Sequence, residues 1–197
     1  YYNSGKGTCY AGYNNATTSC DFTTTGLKSN LKSLIDDALW NTGSNGVEAL
    51  INEITTSKFY ELERSNNTGK ICTSGTACND PLGRTTAWVG KIGLMYPSDY
   101  GYATGGGNYK REYCLSQILY TWNAECYNDN WLYTSTNHQW TITPLGGSDI
   151  SSHAFGIDMS GFVGGSPSGC PWLVRPTVYL KSNVQILSGE GSSTDPY

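Results

Sequence analysis

Apolar residues recur at helical spacing early in the chain. The first such stretch ends near Trp40 and is followed by a polar break at residues 41–46. Its apolar positions, at i, i+4, i+7, i+8 and i+11, are Leu27, Leu31, Leu34, Ile35 and Ala38. Because this spacing places side chains on one face of a helix, it predicts an amphipathic helix that packs against the core.

Two further helices are expected from the same kind of pattern. The second begins after Asn45, which has capping-box spacing with Glu48, and runs to about residue 56, with a continuation as far as Leu62. Its apolar positions are Val47, Leu50, Ile51, Ile54 and Phe59. The third predicted helix covers Lys110 to Trp122.

Strand-like patterns dominate the rest of the chain. Trp88 to Tyr96 has the composition of a buried strand. Residues 154–165 alternate around a turn at Ser160–Gly161, and Pro176 places its own strand at an edge or a bulge. The remaining predicted strands cover residues 130–134, 138–143, 172–180 and 184–187. The order of elements indicates an α+β fold, with helices of the first half packed on a small, mostly antiparallel sheet.

The chain is expected to form one domain, residues 1–197. Its length suits a single core, and no low-complexity linker or internal repeat divides it. We distinguish an N-terminal segment at 1–25, a helical part with one buried strand at 26–125, and a β-rich part at 126–197. Since the chain begins at Tyr1 rather than at a methionine, we expect that an upstream signal peptide, stalk or anchor has been removed.

Six of the seven cysteines form pairs that are close in sequence. The expected disulfides are Cys9–Cys20, Cys72–Cys78 and Cys114–Cys126, with Cys170 left unpaired. Zinc is disfavoured because no C-x₂-C pair is present, although metal ligation and reduced thiols remain alternatives. If Cys114 and Cys126 pair, the third helix must stop near Trp122 and double back, because a disulfide needs Cα atoms within about 7 Å.

Composition narrows the class of protein. Charged residues make up 14% of the chain, and the net charge is −4, which excludes the basic surface of a nucleic-acid-binding protein. No apolar run approaches the roughly 18 residues of a membrane span. Aromatic residues reach 13%, so the chain is not disordered. Local disulfides and a surface of hydroxyls, amides and tyrosines favour an oxidising, extracellular location.

Aromatic residues in turn-rich segments are the strongest candidates for binding. Tyrosine supplies rigid apolar area with a polar tip, which suits contacts to proteins or glycans. The predicted binding residues are Tyr100, Tyr102, Tyr109, Tyr127, Trp131 and Tyr133. In the glycan-binding alternative, the loops at 97–109 and 127–140 hold the sugar.

Titratable groups offer few catalytic arrangements. A Ser–His–Asp site would draw on the histidines and aspartates of the second half, and a Cys–His site on Cys170, but no G-x-S-x-G turn is present. The residues concerned are His138, His153, Asp149 and Asp158. Carboxylate pairs of the glycosidase kind are Asp36/Asp37, Glu61/Glu63 and Glu112/Glu125. The first two pairs lie on predicted helices and are better explained as solvated groups. We expect no cofactor; a structural calcium would use Asp80 or Asp129, where oxygen ligands cluster.

Four segments carry a resemblance to a known group of proteins. KIGLMYPSDYGYA, CLSQILYTWNAECYNDNWLY, QWTITP and VRPTVYLKSNVQILSGEGSSTDPY resemble an uncharacterised C-terminal module of surface and pilin-like proteins from gut Firmicutes. The resemblance covers about residue 25 to the end. It implies an adhesin head or a pilin-like filament subunit on the bacterial surface.

A more distant resemblance points to C-type-lectin-like folds, which include formylglycine-generating-enzyme-like domains. The residues that carry it, with structural roles implied, are Trp140, Pro144, Val174, Arg175 and Pro176. No Glu-Pro-Asn or Gln-Pro-Asp triplet is present, so calcium-dependent sugar chelation is not expected.

Taken together, these features favour a non-enzymatic, extracellular bacterial surface domain that acts through tyrosine-rich contacts. Its expected partners are other copies of itself, or proteins and glycans of host or bacterial surfaces. A lectin-like glycan-binding domain is the second interpretation. A formylglycine-generating-like or hydrolytic enzyme is the third.

Overall fold

The fold is α+β, as the order of elements predicts. A computed structural model describes residues 29–41, 54–63, 87–145, 153–185 and 188. Within these ranges it contains five short α-helices, one 3₁₀ turn and eight short strands in three small sheets. The expected segment at 1–25 and the Cys9–Cys20 and Cys72–Cys78 pairs lie outside the described residues.

The elements alternate along the chain rather than separating into halves. The helices are α1 (Ser29–Lys32), α2 (Thr56–Glu63), α3 (Pro97–Tyr102), α4 (Arg111–Ser116) and α5 (Ala124–Asn128), with a 3₁₀ turn at Leu119–Thr121. The strands are β1 (Ala38–Asn41), β2 (Ala87–Gly90), β3 (Ile92–Leu94), β4 (Gln139–Pro144), β5 (His153–Ile157), β6 (Val163–Pro167), β7 (Leu173–Val174) and β8 (Pro176–Val178).

The largest sheet has the strand order β6-β5-β4-β7. Strands β4, β5 and β6 are antiparallel, whereas β7 runs parallel to β4. The β5–β6 hairpin turns at Ser160–Gly161, as predicted. Asp158 Oδ1 closes this turn by accepting hydrogen bonds from the backbone N–H groups of Ser160 and Phe162, at 2.8 and 2.9 Å. Gly161 has φ +81°, a conformation that suits a residue without Cβ.

One face of the β5–β6 hairpin forms the centre of the core. Phe155, Ile157 and Val163 are buried there, in agreement with strand alternation. Phe155 packs edge-on against Phe59 of α2, with ring centroids 5.0 Å apart. Tyr100 of α3 is also buried, and its hydroxyl donates a 3.0 Å hydrogen bond to the carbonyl of Gly161. The hairpin is therefore held to the helices by both ring packing and a hydrogen bond.

The Cys114–Cys126 disulfide is confirmed. The two Cα atoms are 5.5 Å apart and both cysteines are buried. Helix α4 ends at Ser116, earlier than the predicted end near Trp122, because Gln117 adopts an extended conformation (φ −81°, ψ 155°). The chain then reverses through the 3₁₀ turn, and Trp122 Nε1 donates a 2.9 Å hydrogen bond to the carbonyl of Cys114. The expected doubling back therefore occurs, but nearly two helical turns earlier than predicted.

The prediction of a helix from Leu27 to Trp40 is wrong over most of its described part. Only Ser29–Lys32 is helical, and Ala38–Asn41 is a strand paired antiparallel with Ala87–Gly90. The apolar spacing is misleading here. Leu31 and Leu34 are exposed, and the buried residues Ile35 and Trp40 do not lie on one helix. Backbone pairing with a strand distant in sequence therefore outweighs the helical pattern.

Other boundaries shift in the same way. Helix α2 begins at Thr56, close to the residue where the main part of the second predicted helix was expected to end, and it covers the predicted continuation to Leu62. Residues 42–53 lie outside the described ranges. The predicted strand from Trp88 to Tyr96 is split at Lys91 into β2 and β3, which join different sheets. The segment 172–180 is likewise split at Arg175. Residues 130–134 form a turn rather than a strand, and 184–185 are not in a strand.

None of the described helices is both long enough and apolar enough to cross a bilayer.

We expect Tyr100 to make stability depend on alkaline pH. Burial, followed by the nearby Tyr133, raises the pKa of Tyr100 above its ordinary value of 10.0. Above about pH 10 the tyrosine ionises in the unfolded chain but not in the folded one, so the free energy of unfolding falls by up to about 1.4 kcal/mol per pH unit. In Tyr100→Phe this loss is absent.

Urea unfolding at pH 8 and at pH 11 tests this expectation. At pH 8 the wild type should be more stable than Tyr100→Phe by about 1 kcal/mol, because the variant lacks the hydrogen bond to Gly161. The difference should close by about pH 11. A difference that stays constant across this range contradicts the assignment of the alkaline loss to Tyr100.

The disulfide should contribute strongly to stability. Its 12-residue separation corresponds to about 3 kcal/mol of restricted chain entropy in the unfolded state. The double variant Cys114→Ala/Cys126→Ala should therefore lose about 3 kcal/mol in urea unfolding. Cys170→Ala, which removes a half-buried thiol, is the matched control and should change stability by less than about 1 kcal/mol. Equal effects of the two changes would argue against a stabilising disulfide.

Candidate functional site

Four exposed tyrosines lie on α2, at the end of α3 and near the start of α4, and we call Tyr60, Tyr102, Tyr109, Tyr113 and Arg111 the tyrosine surface. The four rings are between 38% and 44% exposed. Tyr60 and Tyr102 meet edge-on with centroids 6.1 Å apart, and Tyr109 and Tyr113 lie 4.5 Å apart. The rings therefore form two contacting pairs rather than four isolated side chains.

Arg111 orders this surface. Its Nη2 donates a 2.7 Å hydrogen bond to the carbonyl of Tyr102, and its Nε donates a 3.1 Å hydrogen bond to the carbonyl of Thr104. The guanidinium carbon is 5.9 Å from the centroid of the Tyr102 ring, within the range of a cation–π contact. One side chain at the start of α4 thus fixes the end of α3 and the ring next to it.

The glycine-rich loop before α4 is also held in place. Gly106 and Gly107 have positive φ values of 107° and 56°. The N–H of Gly107 donates a 2.7 Å hydrogen bond to Asp129 Oδ2, and the N–H of Tyr109 donates to the carbonyl of Gly106 at 2.9 Å. The loop therefore presents Tyr109 from a defined backbone conformation.

The six predicted binding residues do not form one surface. Tyr100 is buried in the core, so its assignment to a contact surface is wrong. Tyr102 and Tyr109 belong to the tyrosine surface, and Trp131 is exposed. Tyr127 and Tyr133 are partly buried against the core. Spacing in turn-rich segments could not separate these cases, because burial depends on contacts with distant elements.

Tyr133 illustrates this partial burial. Its hydroxyl donates a 2.8 Å hydrogen bond to the carbonyl of Met159, and its ring centroid is 5.1 Å from that of Tyr127. Loss of hydration raises the pKa of Tyr133, with smaller contributions from Tyr127 and Asp158. Tyr133 therefore has a structural role beside the β5–β6 turn.

A groove lies on the face of the β5–β6 hairpin that carries Gly156 and Gly164, which we call its outer face, and the groove reaches Leu145 of the core. Gly156 and Gly164 are cross-strand partners on this face, Trp172 lies over the first and Tyr120 beside the second. The space measures about 650 Å³. Its lining residues are Tyr120, Thr121, Leu145, His153, Gly156, Asp158, Phe162, Gly164, Gly165, Ser166 and Trp172. Sequence reasoning missed this groove; paired glycines on adjacent predicted strands were the available signal.

Trp172 is fixed by aromatic stacking. Its ring lies 4.6 Å from His138 at an interplanar angle of 14°, and 4.5 Å from Trp140 at 27°. A Cβ added at Gly156 would be only 2.2 Å from the Trp172 ring, so the absence of a side chain there permits the close approach. The first wall of the groove is therefore a rigid ring.

The charge of the groove comes from acidic and neutral groups. Asp158 is the lining carboxylate, and the lining contains no lysine or arginine. Asp158 Oδ1 holds the hairpin turn, whereas its Oδ2 has no hydrogen bond to another part of the described chain. Thr121 and Ser166 add hydroxyl groups. The site thus offers hydrogen-bonding oxygens between aromatic walls.

The histidines do not show the geometry of a catalytic triad. Within the described ranges, Nδ1 of His138 and Nδ1 of His153 are buried without a hydrogen-bond partner, so neither is oriented by a carboxylate. Asp149 lies outside those ranges. Cys170 has a free thiol, which accepts a 3.6 Å hydrogen bond from the Ser166 hydroxyl.

The predicted carboxylate pairs are dispersed. Asp37 pairs with Lys91 at 3.1 Å, and Glu61 pairs with Lys58 at 2.9 Å, both at the surface. Glu63 is buried, so its prediction as a solvated group is wrong; α2 turns that position inward. Glu125 Oε2 accepts a 2.7 Å hydrogen bond from Asn108. Asp36 and Glu112 are exposed.

The two predicted calcium ligands are Asp80 and Asp129. Asp80 lies outside the described residues. Asp129 supports the glycine-rich loop through Gly107. Among the residues that the structure describes, no three His, Cys, Asp or Glu side chains converge as metal ligands.

The predicted structural residues lie in or beside strands β4, β7 and β8. Trp140 is nearly buried, and its Nε1 donates a 3.3 Å hydrogen bond to the carbonyl of Cys170. Pro144 ends β4, and Pro176 begins β8 in a two-stranded sheet with β3. Arg175 occupies the break between β7 and β8, where its carbonyl accepts a 3.5 Å hydrogen bond from the Thr177 hydroxyl.

Comparison of the chain with protein-family models, curated proteins and solved structures finds no match. The resemblances to a bacterial surface module and to C-type-lectin-like folds therefore stay predictions from sequence motifs.

Gly156 and Gly164, the two glycines at the base of the groove, should respond differently to substitution. Gly156→Ala places a methyl group against the Trp172 ring and 2.8 Å from the carbonyl oxygen of Gln139, so we expect a loss of about 1–3 kcal/mol. Gly164→Ala is the matched control, because its added Cβ would lie 3.6 Å from Tyr120, an ordinary contact. Thermal unfolding followed by near-ultraviolet circular dichroism measures both. Equal stability of the two variants would show that Trp172 is not held against Gly156.

Proposed function

We propose that this chain is a non-enzymatic, extracellular domain of a bacterial surface protein, an adhesin or a pilin-like filament subunit. In this proposal the tyrosine surface makes the contact. The partner is another copy of the chain or a protein on a host or bacterial surface.

The observation that carries the proposal is the exposure of four tyrosines in two contacting pairs, one of which lies against the ordered Arg111. Tyrosine and arginine are enriched among the residues that dominate binding energy at protein interfaces. A tyrosine ring contributes large contact area while losing little conformational entropy. These properties favour a contact surface over a set of solvated loop residues.

The order of the surface adds support. Arg111 donates hydrogen bonds to two backbone carbonyls, and each tyrosine ring contacts another ring. Side chains already held in one arrangement lose less entropy when a partner binds. The tyrosine surface is therefore pre-organised for association.

The disulfide supports the proposed location. Structural disulfides form and persist mainly in oxidising environments, such as the outside of the cell. The buried Cys114–Cys126 bridge joins α4 to α5, next to the loop that presents Tyr109. An oxidising compartment would thus stabilise the part of the fold that presents the proposed contact.

The triple variant Tyr102→Ser/Tyr109→Ser/Tyr113→Ser tests the proposal. Sedimentation velocity measures self-association, and attachment of fluorescently labelled protein to epithelial cells and to bacterial cells measures adhesion. We expect wild type to show at least one of these activities and the variant to lose it by about tenfold or more, since several interface anchors are removed together.

Leu173→Ser is the control, because Leu173 is an exposed apolar residue on the edge strand β7. It should leave both readouts within about twofold of wild type, as expected for a surface change outside the contact. Monomeric wild type that attaches to neither cell type would contradict the proposal. Equal activity of the triple variant and the wild type would exclude the tyrosine surface as the contact.

A further inference from the structure

We propose that the groove between Trp172 and Tyr120 binds a neutral saccharide. The groove is built by residues other than those of the tyrosine surface, so this inference does not rest on the function proposed above. It assigns a ligand class to the outer face of the β5–β6 hairpin.

The size of the groove suits a small polar ligand. Its volume of about 650 Å³ lies within the range of about 300–1,000 Å³ typical of ligand sites. Because Gly156 and Gly164 have no side chains, a ligand reaches the sheet backbone between the two walls.

The walls favour a ligand with flat apolar faces. The Trp172 ring stacks with His138 and Trp140 and lines the groove, and Tyr120, which also lines it, is 42% exposed. Aromatic rings provide rigid apolar area with a polarised π-face. The C–H groups on one face of a pyranose ring offer a matching apolar surface, and hydroxyl groups project from its edge.

The polar groups favour hydroxyls at that edge. Asp158 Oδ2 and the side-chain hydroxyls of Thr121 and Ser166 supply hydrogen-bonding oxygens. A purely apolar ligand would remove water from Asp158 without replacing its hydrogen bonds, which costs free energy. A ligand bearing several hydroxyls replaces them.

The negative charge of Asp158 in the lining disfavours acidic ligands. No lysine or arginine lines the groove, and His153 is the one basic side chain in its lining, so a carboxylate, sulfate or phosphate would meet the Asp158 carboxylate without a lysine or arginine to compensate it. Sialylated and sulfated sugars should therefore bind poorly. A neutral saccharide is the ligand class that can both pack on the aromatic walls and form hydrogen bonds with the lining oxygens.

Titration calorimetry of the whole chain tests this assignment. The probes are glucose, galactose, N-acetylglucosamine and lactose, with N-acetylneuraminic acid as the acidic comparison and benzyl alcohol as the apolar one. We expect saturable binding of at least one neutral probe and weaker binding of both comparison ligands. Failure of all four neutral saccharides to bind overturns the proposal, as does equal or tighter binding of either comparison ligand.

Two variants place the binding in the groove. Tyr120→Ala removes an exposed wall, and Gly164→Val fills the floor from a position where an added Cβ makes only ordinary contacts. Each should weaken saccharide binding by about tenfold or more, since ring contact or space is lost. Circular dichroism verifies that both variants fold.

Tyr179→Ala provides the matched control, because Tyr179 is 42% exposed, as Tyr120 is, but follows β8 and does not line the groove. It should keep saccharide affinity within about twofold, as expected for a distant surface residue. Saccharide binding that survives both groove variants overturns the site. The adhesion and sedimentation readouts depend on Tyr102, Tyr109 and Tyr113 instead, so failure of one proposal is distinguishable from failure of the other.

Discussion

The packing of the β5–β6 hairpin on Phe59 and Tyr100 determines much of the described structure. Strand alternation sends Phe155, Ile157 and Val163 inward, where all are buried, and leaves their neighbours on the opposite face. The hydrogen bond from the Tyr100 hydroxyl to Gly161 anchors the turn of the same hairpin. Because the inner face is committed to the core, only the outer face is available for a ligand.

The outer face of the hairpin carries glycines where the inner face carries large apolar side chains. Gly156 and Gly164 leave space above the sheet, and Trp172 occupies part of it by lying against Gly156. The hairpin therefore has large side chains on its inner face and glycines on its outer face. The groove is a consequence of this asymmetry.

The tyrosine surface depends on a different constraint, the reversal of the chain between Cys114 and Cys126. The disulfide and the hydrogen bond from Trp122 to Cys114 hold α4 beside α5. Asp129, just after α5, then supports the glycine-rich loop, and Arg111 ties α4 to the end of α3. Residues 102–113 are therefore ordered by contacts at both ends of one reversal, which explains how exposed rings keep a defined arrangement.

Local chemistry in the sequence determined the α+β class, the Cys114–Cys126 pair and the turn at Ser160–Gly161, because each depends on residues close along the chain. Tertiary structure alone decided that residues 38–41 form a strand, since their pairing partner is β2, distant in sequence. It also decided that Tyr100 is buried while Tyr102, two residues later, is exposed. The groove likewise required contacts among β5, β6, Tyr120 and Trp172. Burial and pairing between distant segments depend on the free energy of the whole fold, which no local pattern records.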